Sequence, residues 1–127
     1  MAGEGFDRLA SLLAQLLTEL QLKPDLTETQ RFQVTPATTV TVTSVSDNAA
    51  SVQLLASNTS RLGACIFNDS SAALHVKLGT TASTTDYTVR MVQYSLYEVP
   101  FGYTGRIDGI WASDPNDGAA RIGEWTA

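Results

Sequence analysis

The sequence predicts a mainly β protein: an antiparallel β-sandwich, jelly-roll-like, preceded by one N-terminal α-helix and an extended arm. Three observations carry this. From residue 38 onward, apolar and polar residues alternate in short segments, the period of a half-buried strand. Turn signals rich in Gly, Pro, Asn and Asp recur between these segments at roughly 8–12 residues, the cadence of a sandwich or barrel. Twenty-seven of the 127 residues are Ser or Thr, which favours strands and turns over helices. The length suits one domain with a real core and not two. The expected organisation is a helix over 1–22, an arm over 23–37 and a sandwich over 38–127.

The helix comes first, spanning about residues 5–22. Phe6, Leu9, Leu13, Leu16 and Leu20 are spaced 3, 4, 3 and 4, the rhythm of a coiled-coil seam. Leu12 and Leu17 widen the stripe, while Asp7, Arg8, Ser11, Gln15, Thr18 and Glu19 take the other side. Asp7 complements the helix dipole in the first turn, and Pro24 bars continuation. An isolated helix of this length is marginal in water, so its leucines require cover. That cover is the chain's own sandwich, further copies of the helix, or another protein. The arm, bracketed by Pro24 and Pro36, separates helix from strands and favours the last two. Its own candidate contacts are Leu26, Phe32 and Val34.

Eight strands follow. "TTVTVTSVS" places Val40 and Val42 on a buried face and threonines on a polar one. "SVQLLAS" is the second. "GACIFNDSSAALHVKLG" reads as a hairpin turning at Asn68-Asp69-Ser70-Ser71, with Leu74, Val76 and Leu78 on one face and His75 and Lys77 on the other. "DYTVRMV" and "YSLYEVP" break near Gln93. "RIDGIWAS" contains Gly109, a mark of a bulge or close backbone approach. The turn "DPNDG" leads into "AARIGEW".

Composition excludes several classes of function. A net charge of −5 and a pI near 4.6 oppose nucleic-acid binding, and no Lys/Arg cluster overturns this. No apolar run is long enough for a membrane-spanning helix, and no basic segment opens a secretory signal. The matches to glycosylation acceptors at Asn58 and Asn68 therefore read as turns. One cysteine, Cys65, and one histidine, His75, cannot make a zinc site, and no metal or other cofactor is expected. His75 reads as solvent-facing and Cys65 as a small buried hydrophobe. Asp114 and Asp117 lack the spacing of a calcium loop and read as a turn. Asp86, Glu98, Asp108 and Glu124 fall on different segments, so no paired acid and base can be nominated. The expectation is an interaction protein and not an enzyme. Tyr97, Tyr103 and Trp111 stand out in the aromatic-rich C-terminal half as candidate ligand or interface rings.

Several stretches carry a resemblance. They are Arg61-Leu62-Gly63, "IFNDS" from Ile66 to Ser70, "LHVKLG" from Leu74 to Gly79, "ASTTDYTV" from Ala82 to Val89, "YEVP" from Tyr97 to Pro100 and "YTGRIDGIW" from Tyr103 to Trp111. Over residues 52–125 the chain resembles small β-sandwich virion structural proteins of tailed phages. The resemblance implies either a capsid-decorating cement protein that stabilises the head shell, or a tail or fibre component that binds host surface glycans. It implies a place in the virion, assembled in the host cytoplasm, with the major capsid protein or another virion protein as partner. The leucine stripe adds self-association, with a homotrimer favoured. Nucleic acid and membrane are not expected partners.

Overall fold

The structure is a computed structural model, and it describes residues 7–16 and 35–127. The chain divides into two units, Met1–Val34 and Thr35–Ala127. In the first, residues 7–16 form a helix, α1. Leu9, Leu12, Leu13 and Leu16 on it are each more than half exposed. The remainder of the sequence-predicted helix, with Phe6, Leu17 and Leu20, and the arm contacts Leu26, Phe32 and Val34 lie outside the described residues.

The second unit contains eight strands: β1 (Thr39–Ser46), β2 (Val52–Leu55), β3 (Arg61–Asp69), β4 (Leu74–Leu78), β5 (Val89–Met91), β6 (Leu96–Glu98), β7 (Ile107–Trp111) and β8 (Ala119–Thr126). They form two four-stranded antiparallel sheets, β1-β8-β3-β6 and β2-β7-β4-β5. First pairs with last, second with seventh, third with sixth and fourth with fifth. This is the rolled-up order of an eight-stranded jelly roll, so the expected sandwich is the observed one.

The core lies between the sheets. Ala64, Ile66, Ala120 and Ile122 from one meet Leu54, Leu74, Val76, Met91, Ile107 and Trp111 from the other. Each large side chain buried here contributes about 1.5–3 kcal/mol. Gly109 is a close approach, as its position in the strand suggests: a Cβ there would stand 2.7 Å from Leu54 Cδ1.

Three expectations are corrected. β3 and β4 do not form a hairpin, because they belong to different sheets and the chain between them crosses the sandwich. A short polar turn looks the same in sequence whether its strands pair or part. Both Ile66 and Leu74 are fully buried because their two inner faces oppose each other. Val40 and Val42 of β1 face outward, 64% and 75% exposed, while Val45 packs against the core. Register decides this. Thr43 lies opposite the buried Ile122, so the threonines share the inner face and Val42, opposite Gly123, shares the outer one. His75 does lie on the outer face of its sheet, yet it is only 5% exposed. Residues 79–88 fold over it: Thr81 N donates to Asp108 Oδ2 (2.7 Å), Ala82 N donates to Ser51 Oγ (3.0 Å), and the Tyr87 ring meets the imidazole edge-on at 4.7 Å.

Polar side chains on β3 close both ends of the sandwich. At its start Arg61, 3% exposed, pairs with Glu124 (2.7 Å) and donates to the carbonyls of Ala56 (2.7 Å) and Gly105 (2.9 Å). Near its end Asn68, fully buried, donates through Nδ2 to Ala72 O (2.9 Å) and Met91 O (3.0 Å), and its Oδ1 accepts from Trp111 Nε1 (3.1 Å). The following residue pair extends this end. Ser70 Oγ donates to Asp47 Oδ2 (2.9 Å) and Asp117 Oδ1 (3.2 Å), and the "DPNDG" turn docks so closely that a Cβ on Gly118 would stand 1.8 Å from Asp69 O.

Asn68→Ala orphans Trp111 Nε1 and two carbonyls. A loss of about 3 kcal/mol or more is expected in chemical denaturation, at about 1–3 kcal/mol per unsatisfied buried group. Hydrogen bonds from Ser71, first its hydroxyl and then its backbone N–H, hold the Asp117 carboxyl below its ordinary 3.8. A depressed folded value means the contribution is complete above the ordinary carboxylate range and is lost as pH falls through the lower folded value. Asp117→Asn is therefore expected to lower the Tm at pH 7, with the gap to the parent narrowing at pH 3.

Candidate functional site

The register of the β1-β8-β3-β6 sheet sorts its residues onto two faces. Val40, Trp125 and Gly63 form one outward row. Val42, Gly123, Cys65 and Glu98 form the next, and Ser44, Arg121, Phe67 and Leu96 the third. Beside the third row, Tyr94 stacks on Phe67 with ring centroids 6.4 Å apart. Tyr94 holds a left-handed backbone (φ 64°) in the tight turn between β5 and β6, which aims its ring back over the sheet.

The result is an apolar stripe across all four strands. Val40, Val42, Tyr94 and Leu96 are each more than half exposed, and Trp125, Cys65 and Phe67 are half-buried between them. Its charges are few. Arg121 and Asp69 pair at 3.2 Å, and Arg121 also donates to Ser44 Oγ (3.0 Å). Contiguous apolar surface of this kind on a small domain marks an interaction site more often than chance.

The stripe ends on an edge strand. β1 pairs with β8 in unbroken one-to-one register from Thr39 to Ser46, and among the described residues no strand pairs with its other side. Its eight residues include no charge and no proline. Edge strands in stable monomers usually carry one or the other to block pairing with further chains.

The aromatics singled out in the sequence lie elsewhere. Trp111 is 1% exposed and belongs to the core, so it presents no ring to a ligand. Tyr103 is half-buried, with its hydroxyl donating to Arg106 O (2.7 Å). Tyr97 packs partly against the core, and burial pushes its hydroxyl pKa up. Val40 and Val42 were expected on a buried face, and Phe67, Tyr94, Leu96 and Trp125 were not among the candidate site residues. The only signal for them was relational: small Gly63 and Gly123 on strands whose alternate residues are buried mark the side where large residues must come from neighbours.

Cys65 is half-buried on the outer face and not inside the core, with its Sγ 3.3 Å from where a Cβ on Gly123 would be. Asp108 accepts from Arg106 Nε (2.7 Å) and Thr81 N, fixing the loop that covers His75. Asn58 shapes its own turn, accepting from Ser60 N (3.0 Å), and donates to Glu124 (3.1 Å). Among the described residues no group of three or more His, Cys, Asp or Glu is placed to hold a metal ion, and no helix is long and apolar enough to cross a membrane.

Comparison with protein-family models, with curated proteins and with solved structures finds no match.

Because Val42 and Leu96 point away from the core, Val42→Lys and Leu96→Lys are expected to change stability by no more than about 0.5 kcal/mol. Any concentration-dependent association through this face is expected to weaken. Thermal melts and analytical ultracentrifugation of each variant check the two outcomes separately.

Proposed function

We propose that this chain is a structural subunit of a tailed-phage virion: a capsid-decorating cement protein that forms a homotrimer and stabilises the head shell. The observation that carries this reading is the exposure of Leu9, Leu12, Leu13 and Leu16 on α1, each above 50%. Burying a leucine is worth about 1.5–3 kcal/mol, so this stripe strongly favours association. Leucine at both seam positions, with a widened face, leans away from a strict dimer.

The reading involves no reaction. Its chemistry is burial of apolar surface, with the major capsid protein or another virion protein as the second partner. Several linked copies bind a lattice by avidity, so each contact can be weak alone. The eight-stranded jelly roll is an architecture that viral capsid proteins use, and lectins and cupins use it too, so the fold is compatible with the reading without selecting it. The place of action is the virion, assembled in the host cytoplasm.

A second reading, a tail or fibre component that binds host glycans, draws on the aromatic groove described below. Copy number per particle separates the two: a shell protein is present in many copies and a tail protein in few.

Light scattering of the full chain is expected to give a trimer. A chain lacking residues 1–22, and the full chain carrying Leu9→Glu, Leu13→Glu and Leu16→Glu, are expected to be monomeric. A monomeric full chain overturns the proposal. Attachment to shells is expected to survive moderate salt, since burial of apolar surface, unlike ionic pairing, is not screened.

A further inference from the structure

At the Trp125 end of the apolar face lies a groove of about 260 Å³, lined by Leu62, Gly63, Glu98, Val99, Phe101 and Trp125. We infer that it is a saccharide site that takes one neutral hexopyranose ring. The inference stands on this unit's own geometry and holds whether or not the chain belongs to a capsid.

The platform is Trp125. A Cβ on Gly63 would lie 2.1 Å from its Nε1, 2.3 Å from Cε2 and 2.7 Å from Cζ2, so the indole lies flat over bare backbone. Any side chain at position 63 would lift it. The ring is therefore seated against the strand, and it borders the groove. An aromatic face is electronegative and attracts the weakly positive C–H groups on the apolar face of a pyranose. Phe101, 71% exposed, supplies a second ring, and Leu62 and Val99 complete the apolar wall.

Covering a strand glycine with an aromatic ring is a known way to stabilise a sheet, and it explains Trp125 by itself. It does not explain the polar groups beside the ring. Glu98 lies opposite Cys65, two residues along the same face from Gly63. Its carboxylate takes part in none of the hydrogen bonds or ion pairs among the described residues. Trp125 Nε1 is likewise without a hydrogen bond among them, whereas Trp111 Nε1 is bonded to Asn68. A flat apolar ring, one charged acceptor and one N–H donor form a set that matches a sugar's apolar face and its hydroxyl rim. Hydrogen bonds from hydroxyls to a carboxylate are among the stronger neutral-to-charged kind. The same carboxylate, in a chain of net charge −5, disfavours acidic sugars. The volume falls just below the roughly 300–1,000 Å³ that holds drug-sized ligands, which limits the occupant to about one ring.

The test uses the full chain labelled with fluorotryptophan, whose two fluorine resonances report Trp111 and Trp125 separately. Methyl β-glucoside, methyl β-galactoside and methyl N-acetyl-β-glucosaminide are titrated in turn, with N-acetylneuraminic acid as the acidic comparison. A saturable shift of the Trp125 resonance with at least one neutral glycoside is expected, while Trp111 stays in place and the acidic sugar has no effect. Glu98→Gln is an exposed change that leaves the melting temperature in place, and Phe101→Ala is read beside its own thermal melt. Each is expected to weaken binding by about tenfold, the loss of one charge-assisted hydrogen bond or one ring contact. Three outcomes overturn the assignment: no saturable shift with any neutral glycoside, a shift unaltered in both variants, or a Trp125 resonance that moves with protein concentration alone, which makes the groove a contact between copies.

Discussion

Asn68 has no solvent contact and makes five hydrogen bonds: its side chain bonds Ala72 O, Met91 O and Trp111 Nε1, and its backbone bonds Ser95 O and Tyr94 N. The side-chain partners on strands lie in the opposite sheet, and the others lie on two connections. One amide therefore sets the distance between the sheets, the entry of the chain into β4 and the shape of the turn before β6. A carboxamide can do this because it carries donors and an acceptor on one short planar group. In a low-dielectric core such a network is stiff when complete and costly when broken. The turn it shapes also places Tyr94 over Phe67, so the outward surface depends on a buried contact on the other side of the same strand.

The sequence motifs that carried the resemblance prove to be parts of this framework. Arg61 closes one end of the sandwich while Gly63 makes room for an indole. In "NDS", Asn68 joins the sheets, Asp69 pairs with Arg121, and Ser70 ties two aspartates. Lys77 and Asp86 pair to hold the covering loop, and Gly105 offers its carbonyl to Arg61. A set of turns and caps of this kind specifies an architecture. It leaves open what the architecture holds.

That division explains what was legible in the chain. Eight strands, their approximate limits and the sandwich class followed from a period of two and from turn chemistry, both local properties. Which side of β1 faces inward did not. "TVTVTSVS" reads equally well either way up, and only pairing with β8, where Ile122 is buried, decides. Burial of valine alone favoured the wrong face, since the usual preference assumes that the outside of a sheet meets water. The β3–β4 crossing and the covering of His75 were hidden for a related reason, since both depend on segments far apart in sequence. Trp111 misled because tryptophan suits cores and binding surfaces alike, and Asn68 four turns of chain away settles the matter by claiming its N–H.

The outward apolar stripe and the acidic balance of the chain belong to one physical problem. A sheet edge without charge, next to exposed Val40 and Val42, invites association with any extended or apolar surface. Placing charge within the stripe would prevent that and would also abolish a specific contact there. A net charge of −5 makes like chains repel at long range, while the stripe itself stays apolar. Repulsion between unit charges decays within about 8–10 Å at physiological salt. It is therefore overcome only when surfaces fit closely enough to bury area across the whole stripe. The same argument accounts for the small number of charges on the face itself, where Arg121 and Asp69 neutralise each other and Glu98 is left beside the groove.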